Sequence, residues 1–270
     1  PFEEALHCGD RPSLRQAAEQ LHAGGAAVLC FVGGSSGRLL EFELGGLLRE
    51  FRFHDEAFPG RHEQGGWSQS RYQRHVDEHL ARNFKTIAEQ LVKWVEEKGA
   101  KRVLLSGTEV DLSVFEQQLP QRVGDLVCSR LRIDPNVNMG AVQEEVEEVL
   151  SRAKEAEDAQ AIDALFEKGI GTGRAASAPD SVAQAVTVGK VHTLYLDKGF
   201  REPGWTCSPC SLVGAKIPVA CPSCGKPVDA AEVGEELVRR TLATDGTVSV
   251  VRDHPGLRSR GGVAAMVRYG

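Results

Sequence analysis

Four cysteines, Cys207, Cys210, Cys221 and Cys224, stand as two CxxC pairs with ten residues between them. A CxxC turn presents both sulfurs to one metal ion, and two such turns complete a tetrahedral S4 set, the usual structural zinc arrangement. Pro222 and Gly225 suit the tight second turn. Four thiolates leave no open position for water, so this centre is expected to hold the fold and do no chemistry. A thioredoxin-like redox pair is the competing reading; the missing strand-to-helix setting and the presence of two pairs argue against it.

The second stretch with chemical potential is EQGGWSQSRYQ, Glu63 to Gln73. Gly65 and Gly66 let the backbone go where a side chain would forbid it. Ser70 and Gln73 fit an S-x-x-Q capping box and predict a helix start. Gln69 is then expected on a mobile loop at the positive end of a helix dipole. On spacing alone the same residues also read as an ordinary glycine turn before a helix. Beyond Ser70, Tyr72, Val76, Leu80, Phe84, Ile87, Leu91 and Trp94 recur every three or four residues and predict a buried stripe. Arg71, Arg74, Arg82 and Lys85 fall on the opposite face. They are either a solvated helix face or a phosphate-holding row that starts beside the glycines.

No conventional catalytic constellation accompanies these residues. The chain has no G-x-S-x-G and no P-loop, GIGTG lacks dinucleotide-fingerprint spacing, and the eight histidines read as dispersed surface or core residues. The formal net charge of −6 argues against a broadly basic nucleic-acid binder, so any RNA contact has to be local. Seven cysteines, two pairs of them in CxxC motifs, favour a metal site in a reducing cytoplasm over a disulfide scaffold. PFEEALHCGD has neither a basic start nor an apolar core, so no signal peptide is expected, and no apolar run approaches the ~20 residues of a membrane span.

The elements that must position these residues divide the 270-residue chain into two expected domains, 12–135 and 136–270. A short helix at 12–23 precedes strands at 26–32, 38–44 and 47–53, an antiparallel opening. The long helix after Ser70, a strand at 101–107, a helix from Thr108 and a strand at 125–133 follow, which predicts a mixed sheet with helices on its faces. A second long helix, 138–168, should stop at Gly169 and join the domains. The second domain is predicted as a small α/β layer structure: a helix at 180–190, strands at 191–199, 247–251 and 261–270, and a helix at 230–243. The cysteine hairpin, 205–226, is inserted into it.

Together, the glycine loop ending in glutamine before an Arg-rich helix, the long joining helix and the CxxC insert resemble the archaeo-eukaryotic class-I release factor and Pelota superfamily, and more closely its bacterial members. GGWSQSRYQRHVDEH and LRSRGGVAAMVRYG carry the resemblance most specifically. It implies an RNase H-like mixed-sheet domain followed by a Pelota-type C-terminal α/β domain with an inserted zinc ribbon. The family loop reads Gly-Gly-Gln; it enters the ribosomal peptidyl transferase centre and promotes hydrolysis of the peptidyl-tRNA ester. Carried over, Gly65 and Gly66 match the two glycines and Gln69 is the candidate glutamine, with Trp67 and Ser68 standing between.

The resemblance begins near residue 20, so stop-codon recognition is not assigned to this chain. Rescue of stalled or split ribosomes fits better than ordinary termination. The leading expectation is a cytoplasmic peptidyl-tRNA hydrolase that contacts ribosomal RNA and peptidyl-tRNA through Trp67, Arg71, Arg74, Arg82 and Lys85. The other is a non-catalytic factor that fills the A site of stalled or dormant ribosomes. By the same resemblance, the C-terminal domain would meet a translational GTPase of the EF-Tu type. A zinc-ribbon interaction module without a ribosomal role is the third reading of the residues alone.

Overall fold

The computed structural model describes residues 13–23, 25–44, 46–58, 69–134 and 137–268, with the side chains of 20–23 and 69–73 outside the description. Contacts group the chain into two units, one of residues 24–151 and one that joins 1–23 to 152–270. The dividing point therefore falls within the long helix and not at the expected 135/136. Helix α1 (Arg15–Ala23) also belongs with the C-terminal residues, against the expected first domain of 12–135. The reason is packing: Leu14 and Ala18 fill the core formed by Val182, Leu237 and Val248.

The 24–151 unit is built on five strands: β1 (Ala27–Val32), β2 (Ser36–Glu43), β3 (Gly46–His54), β4 (Arg102–Gly107) and β5 (Val127–Leu131). Their order is β3-β2-β1-β4-β5. β1, β2 and β3 form an antiparallel meander, while β4 pairs parallel to β1 and β5 parallel to β4. This mixed sheet has the expected RNase H-like arrangement. β1 lies at the centre and is buried along its whole length, as a strand covered on both faces must be. Val28, Cys30 and Val32 face α2 (Gln69–Lys98), with α3 (Glu109–Glu116) beside it and the single turn α4 (Gln121–Gly124) following. Ala27, Leu29 and Phe31 face the start of α5 (Met139–Ala164), which contributes Val142 and Val146.

The expected stop at Gly169 is overrun. A π-helical turn (Leu165–Gly169) and a 3-10 turn (Ile170–Thr172) extend the helix, and Gly173, at φ +71°, ends it in the left-handed conformation open to glycine.

The other unit holds β6 (Ala175–Ser177), α6 (Pro179–Thr187), β7 (Val191–Asp197), β8 (Pro203–Thr206), β9 (Val213–Gly214), β10 (Asp229–Glu232), α7 (Val233–Ala243), β11 (Thr247–Val251), α8 (Pro255–Arg258) and β12 (Val263–Val267). Its main sheet runs β11-β7-β12-β6, and the insert hangs from a smaller sheet, β10-β8-β9. The expected helix at 230–243 begins later than its pattern suggests. Residues 229–232 pair with β8, and Glu232 then caps α7 by accepting the N–H groups of Gly234 (3.0 Å) and Glu235 (2.8 Å). Among the described residues no helix is long and apolar enough to cross a membrane.

Candidate functional site

α2 sorts its residues by face. His79, Asn83, Phe84, Ile87, Leu91 and Trp94 are buried against the sheet, whereas Arg74, Arg82 and Lys85 are exposed. At 100° per residue the backbone positions of Arg71, Arg74, Glu78, Arg82, Lys85 and Glu89 fall within an arc of about 80°. The arc is mixed in charge: Lys85 Nζ lies 4.0 Å from Glu89 Oε1, an exposed i,i+4 pair of little energetic weight. α2 begins at Gln69, one residue before the expected cap Ser70. Gln69 thus occupies the first turn of the helix, not the loop before it, and Ser70 lies inside the helix. Gly65, Gly66 and Trp67 lie outside the described residues, and Gln69 and Arg71 are described as helical backbone only.

A buried polar anchor fixes α2 where β3 ends. Asp55 Oδ2 lies 2.8 Å from His79 Nδ1 and accepts Asn83 Nδ2 at 3.0 Å. The same amide nitrogen donates to the Gly34 carbonyl at 2.9 Å, and the Ala57 N–H donates to Asp55 Oδ1 at 3.0 Å. Hydrogen bonds from His79 first, then Asn83, hold the Asp55 carboxyl below the usual carboxylate range despite its partial desolvation. The His75 ring lies beside the cluster, tilted 41° to that of His79 with the centroids 4.8 Å apart. The histidines, expected to be dispersed, thus include a pair that clusters with Asp55 and Asn83. His75 and His79 stand one helical turn apart, and Asn83 one turn further, a polar H-x-x-x-H-x-x-x-N line running along the apolar stripe.

The cysteine centre is assembled by two similar turns. Ser211 N–H donates to the Cys207 carbonyl (2.8 Å), and Gly225 N–H to the Cys221 carbonyl (2.9 Å). Each turn closes on a left-handed residue, Ser211 at φ +61° and Gly225 at φ +70°. The four Sγ atoms lie within 4.8 Å of one another, with Cys207–Cys224 at 3.5 Å and Cys210–Cys221 at 3.3 Å. A tetrahedron with ~2.3 Å metal–sulfur bonds has edges of about 3.8 Å, so the spacing fits one metal ion. Desolvation pushes the Cys207 thiol up to about 12. Desolvation also acts upward on Cys221, but the N–H groups of Cys224 and Ser223 and the neighbouring sulfurs outweigh it and bring that thiol down to about 6. Trp205, Leu212 and Val228 pack around the cluster, and Arg240 of α7 ties it down by donating to Thr206 Oγ1 (2.7 Å) and to the Ser211 carbonyl. Of the other cysteines, Cys30 is buried in the β1 core and Cys128 is exposed.

A mixed-sheet unit bearing a long helix, followed by a small α/β unit, places the chain in the release factor and Pelota superfamily, and here the second unit carries a four-cysteine knuckle. Within it the chain belongs to bacterial archaeo-eukaryotic release factor family 10, whose model matches residues 12–158, more than half of the sequence. Among solved structures, a ribosome-bound archaeal Pelota, described in a model with ABCE1, superposes with a TM-score of 0.54 at 17% identity. The match covers 92% of this chain and 62% of that one, so the chain spans less than two thirds of that Pelota. Archaeoglobus fulgidus Pelota matches at 18% identity over 95% of this chain and 68% of its own, with a TM-score of 0.46. Saccharomyces cerevisiae Dom34, a translation termination-like factor interacting with Hbs1, gives 9% identity, 93% and 64% coverage, and a TM-score of 0.45. No curated protein matches the chain.

Proposed function

We propose that this protein acts on stalled or split ribosomes in the cytoplasm and hydrolyses the ester between peptide and tRNA. The observation that carries the reading is the position of Gln69, the first residue of the 30-residue α2, three positions after Gly66 and at the head of the helix face on which Arg71, Arg74, Arg82 and Lys85 fall by backbone position. In a chain of the release factor family, that order of residues supports a helix that lies along RNA phosphates while its N-terminal end reaches the ester. Gln69 titrates nowhere near neutrality and so is no general base. Its amide donates and accepts at once, which lets it position a water for attack. A backbone N–H beside it would stabilise the developing oxyanion, a contribution typically of about 3 kcal/mol. Gly65 and Gly66 supply the backbone freedom this approach needs, and Trp67 the surface for stacking on a base. Arg71, Arg74, Arg82 and Lys85 would hold phosphates. Substrate and ribosomal groups would then provide the remaining catalysis.

Zinc is the metal that suits four thiolates at this spacing, and Cys207, Cys210, Cys221 and Cys224 would hold it. When bound, it would cross-link the two turns of the insert. The unit containing the cysteine insert would be the surface that meets a translational GTPase of the EF-Tu type.

The deciding experiment is single-turnover peptide release from peptidyl-tRNA on large ribosomal subunits, with binding measured in parallel. Release that falls in Gln69→Ala while binding persists supports hydrolysis. A second reading, occupancy of the A site without hydrolysis, is favoured by the helical backbone at Gln69 and by the two residues that separate it from the glycines. Wild-type protein that binds tightly but releases no peptide would establish that reading in place of the first.

A further inference from the structure

A pocket of about 520 Å³ opens in the 24–151 unit at the carboxyl ends of the parallel neighbours β1 and β4. The chain leaves β1 toward β2 on one side and β4 toward β5 on the other, so the pocket lies where the sheet order reverses. Crevices at such points are where open α/β sheets take ligands. The volume is within the range of small-molecule sites, about 300–1,000 Å³.

The register shows what forms the floor. Ser106 stands opposite Phe31, Phe31 opposite Arg38, and Arg38 opposite Arg52, one row across four strands on one face. Further down the same face, α5 covers Leu29, Leu40 and Leu104 through Val142 and Val146. α5 starts only at Met139, and on this last row Phe31 and Ser106 are buried, Arg38 is half-buried and Arg52 is exposed, with the pocket opening over it. Ile133, Val137 and Met139 instead form an apolar wall beside it.

The polar side is preset. Glu50 Oε1 accepts the Nε of Arg38 at 2.6 Å and the Nε of Arg52 at 2.5 Å, which holds the two guanidiniums side by side. Arg52 makes this bond through Nε, and its side chain is 72% exposed, so its terminal fork is the part presented to a ligand. A guanidinium fork matches two oxygens of a phosphate. His54 lines the same side. An inorganic phosphate alone would leave the apolar wall and most of the volume unused. A planar ring carrying a phosphate uses both sides.

We propose that this pocket binds a nucleotide, its phosphate on the Arg52 fork beside Arg38 and its base against Ile133, Val137 and Met139. The nucleotide is either a free mononucleotide or one unit of an RNA strand. The site shares none of Gln69, Arg71, Arg74, Arg82 or Lys85, so nucleotide binding and peptide release stand or fall separately.

The test is calorimetric titration of the full chain with each of the four nucleoside 5′-monophosphates, the matching nucleosides, inorganic phosphate and a mixed-sequence RNA hexanucleotide. At least one monophosphate should bind at one equivalent, ten times or more tighter than its nucleoside or phosphate. Arg52→Gln, on an exposed side chain, should weaken that binding at least tenfold, and Val137→Trp should abolish it by filling the pocket. If only the hexanucleotide binds, with the same loss in both variants, the ligand is a unit of an RNA chain. If no monophosphate and no hexanucleotide binds, or if both variants bind like wild type, the proposal is overturned.

Discussion

Asn83→Ala tests whether the buried anchor at the end of β3 governs α2. Asn83 is 2% exposed and gives its amide nitrogen to two acceptors, the Gly34 carbonyl and the Asp55 carboxylate. A neutral hydrogen bond contributes about 1 kcal/mol net and one to a charged group about 1.5–3 kcal/mol. Truncation should therefore cost roughly 3 kcal/mol, and at 1.4 kcal/mol per tenfold this is on the order of a hundredfold in the opening equilibrium. The measurement is amide hydrogen exchange of the full chain, read on α2 between residues 84 and 95. The variant's protection there should fall by about that factor.

A pH arm adds a sign. The folded Asp55 carboxyl lies below its ordinary value because His79 and then Asn83 hydrogen-bond its ionised form. Its contribution is therefore fully present above the unfolded value near ~3.9 and is lost as pH falls through the lower folded value. The wild-type advantage over Asn83→Ala should hold from neutrality to about pH 4 and shrink below it. A change in α2 protection of less than fivefold at neutral pH, or an advantage already lost well above pH 4, would show that this anchor does not hold α2 in place.

Protein purified reduced and without chelator should contain one zinc per chain by metal analysis. Cys207→Ser should lower that content and loosen the insert while exchange in β1 and β4 stays protected. Gly214→Ala should destabilise the insert by about 1–3 kcal/mol in thermal unfolding, because the added carbon would sit 2.8 Å from Trp205 Nε1 and 3.1 Å from the ring behind it. Ser211→Gly should raise stability by a few tenths of a kcal/mol to about 1 kcal/mol, and Ser211→Val should lower it, since φ is +61° at this position. Charge reversal at Arg74 and Arg82 should weaken ribosome binding and flatten its salt dependence; an unchanged slope would make these residues a solvated face.

The periodic elements were readable from residue order alone. The apolar stripe from Leu80 to Trp94 and the uniformly apolar 26–32 segment leave little freedom in where they pack, and both lie where their patterns place them. The cysteine spacing likewise brings four sulfurs together. What escaped depends on partners remote in sequence. Asp55 and Asn83 are 28 residues apart and become one group only when β3 and α2 meet. The pocket row Ser106–Phe31–Arg38–Arg52 follows from strand order and register, which no local pattern states. β10 hides inside a helix-like run because AAE favours a helix, and only pairing with the remote β8 makes it a strand. The 12–23 helix looks like the start of the first domain, yet Ala18 finds its complementary surface beyond residue 180.

That last contact makes one folding unit discontinuous along the chain. Ser13 Oγ donates to Glu235 Oε1 across 222 positions, and Arg15 Nη1 donates to the Phe200 carbonyl (2.6 Å) across 185. During synthesis the five-stranded sheet of residues 24–151 is complete well before the seat for α1 exists. Helix α1 is thus made before the sheet of residues 24–151 but docks only after it, and its apolar residues Leu14 and Ala18 stay open to solvent or to a chaperone while more than 200 further residues are made. Closing so long a loop is slow. The finished C-terminal unit is therefore a clasp whose two halves are made 222 positions apart, and a nascent chain arrested before residue 235 lacks the catch.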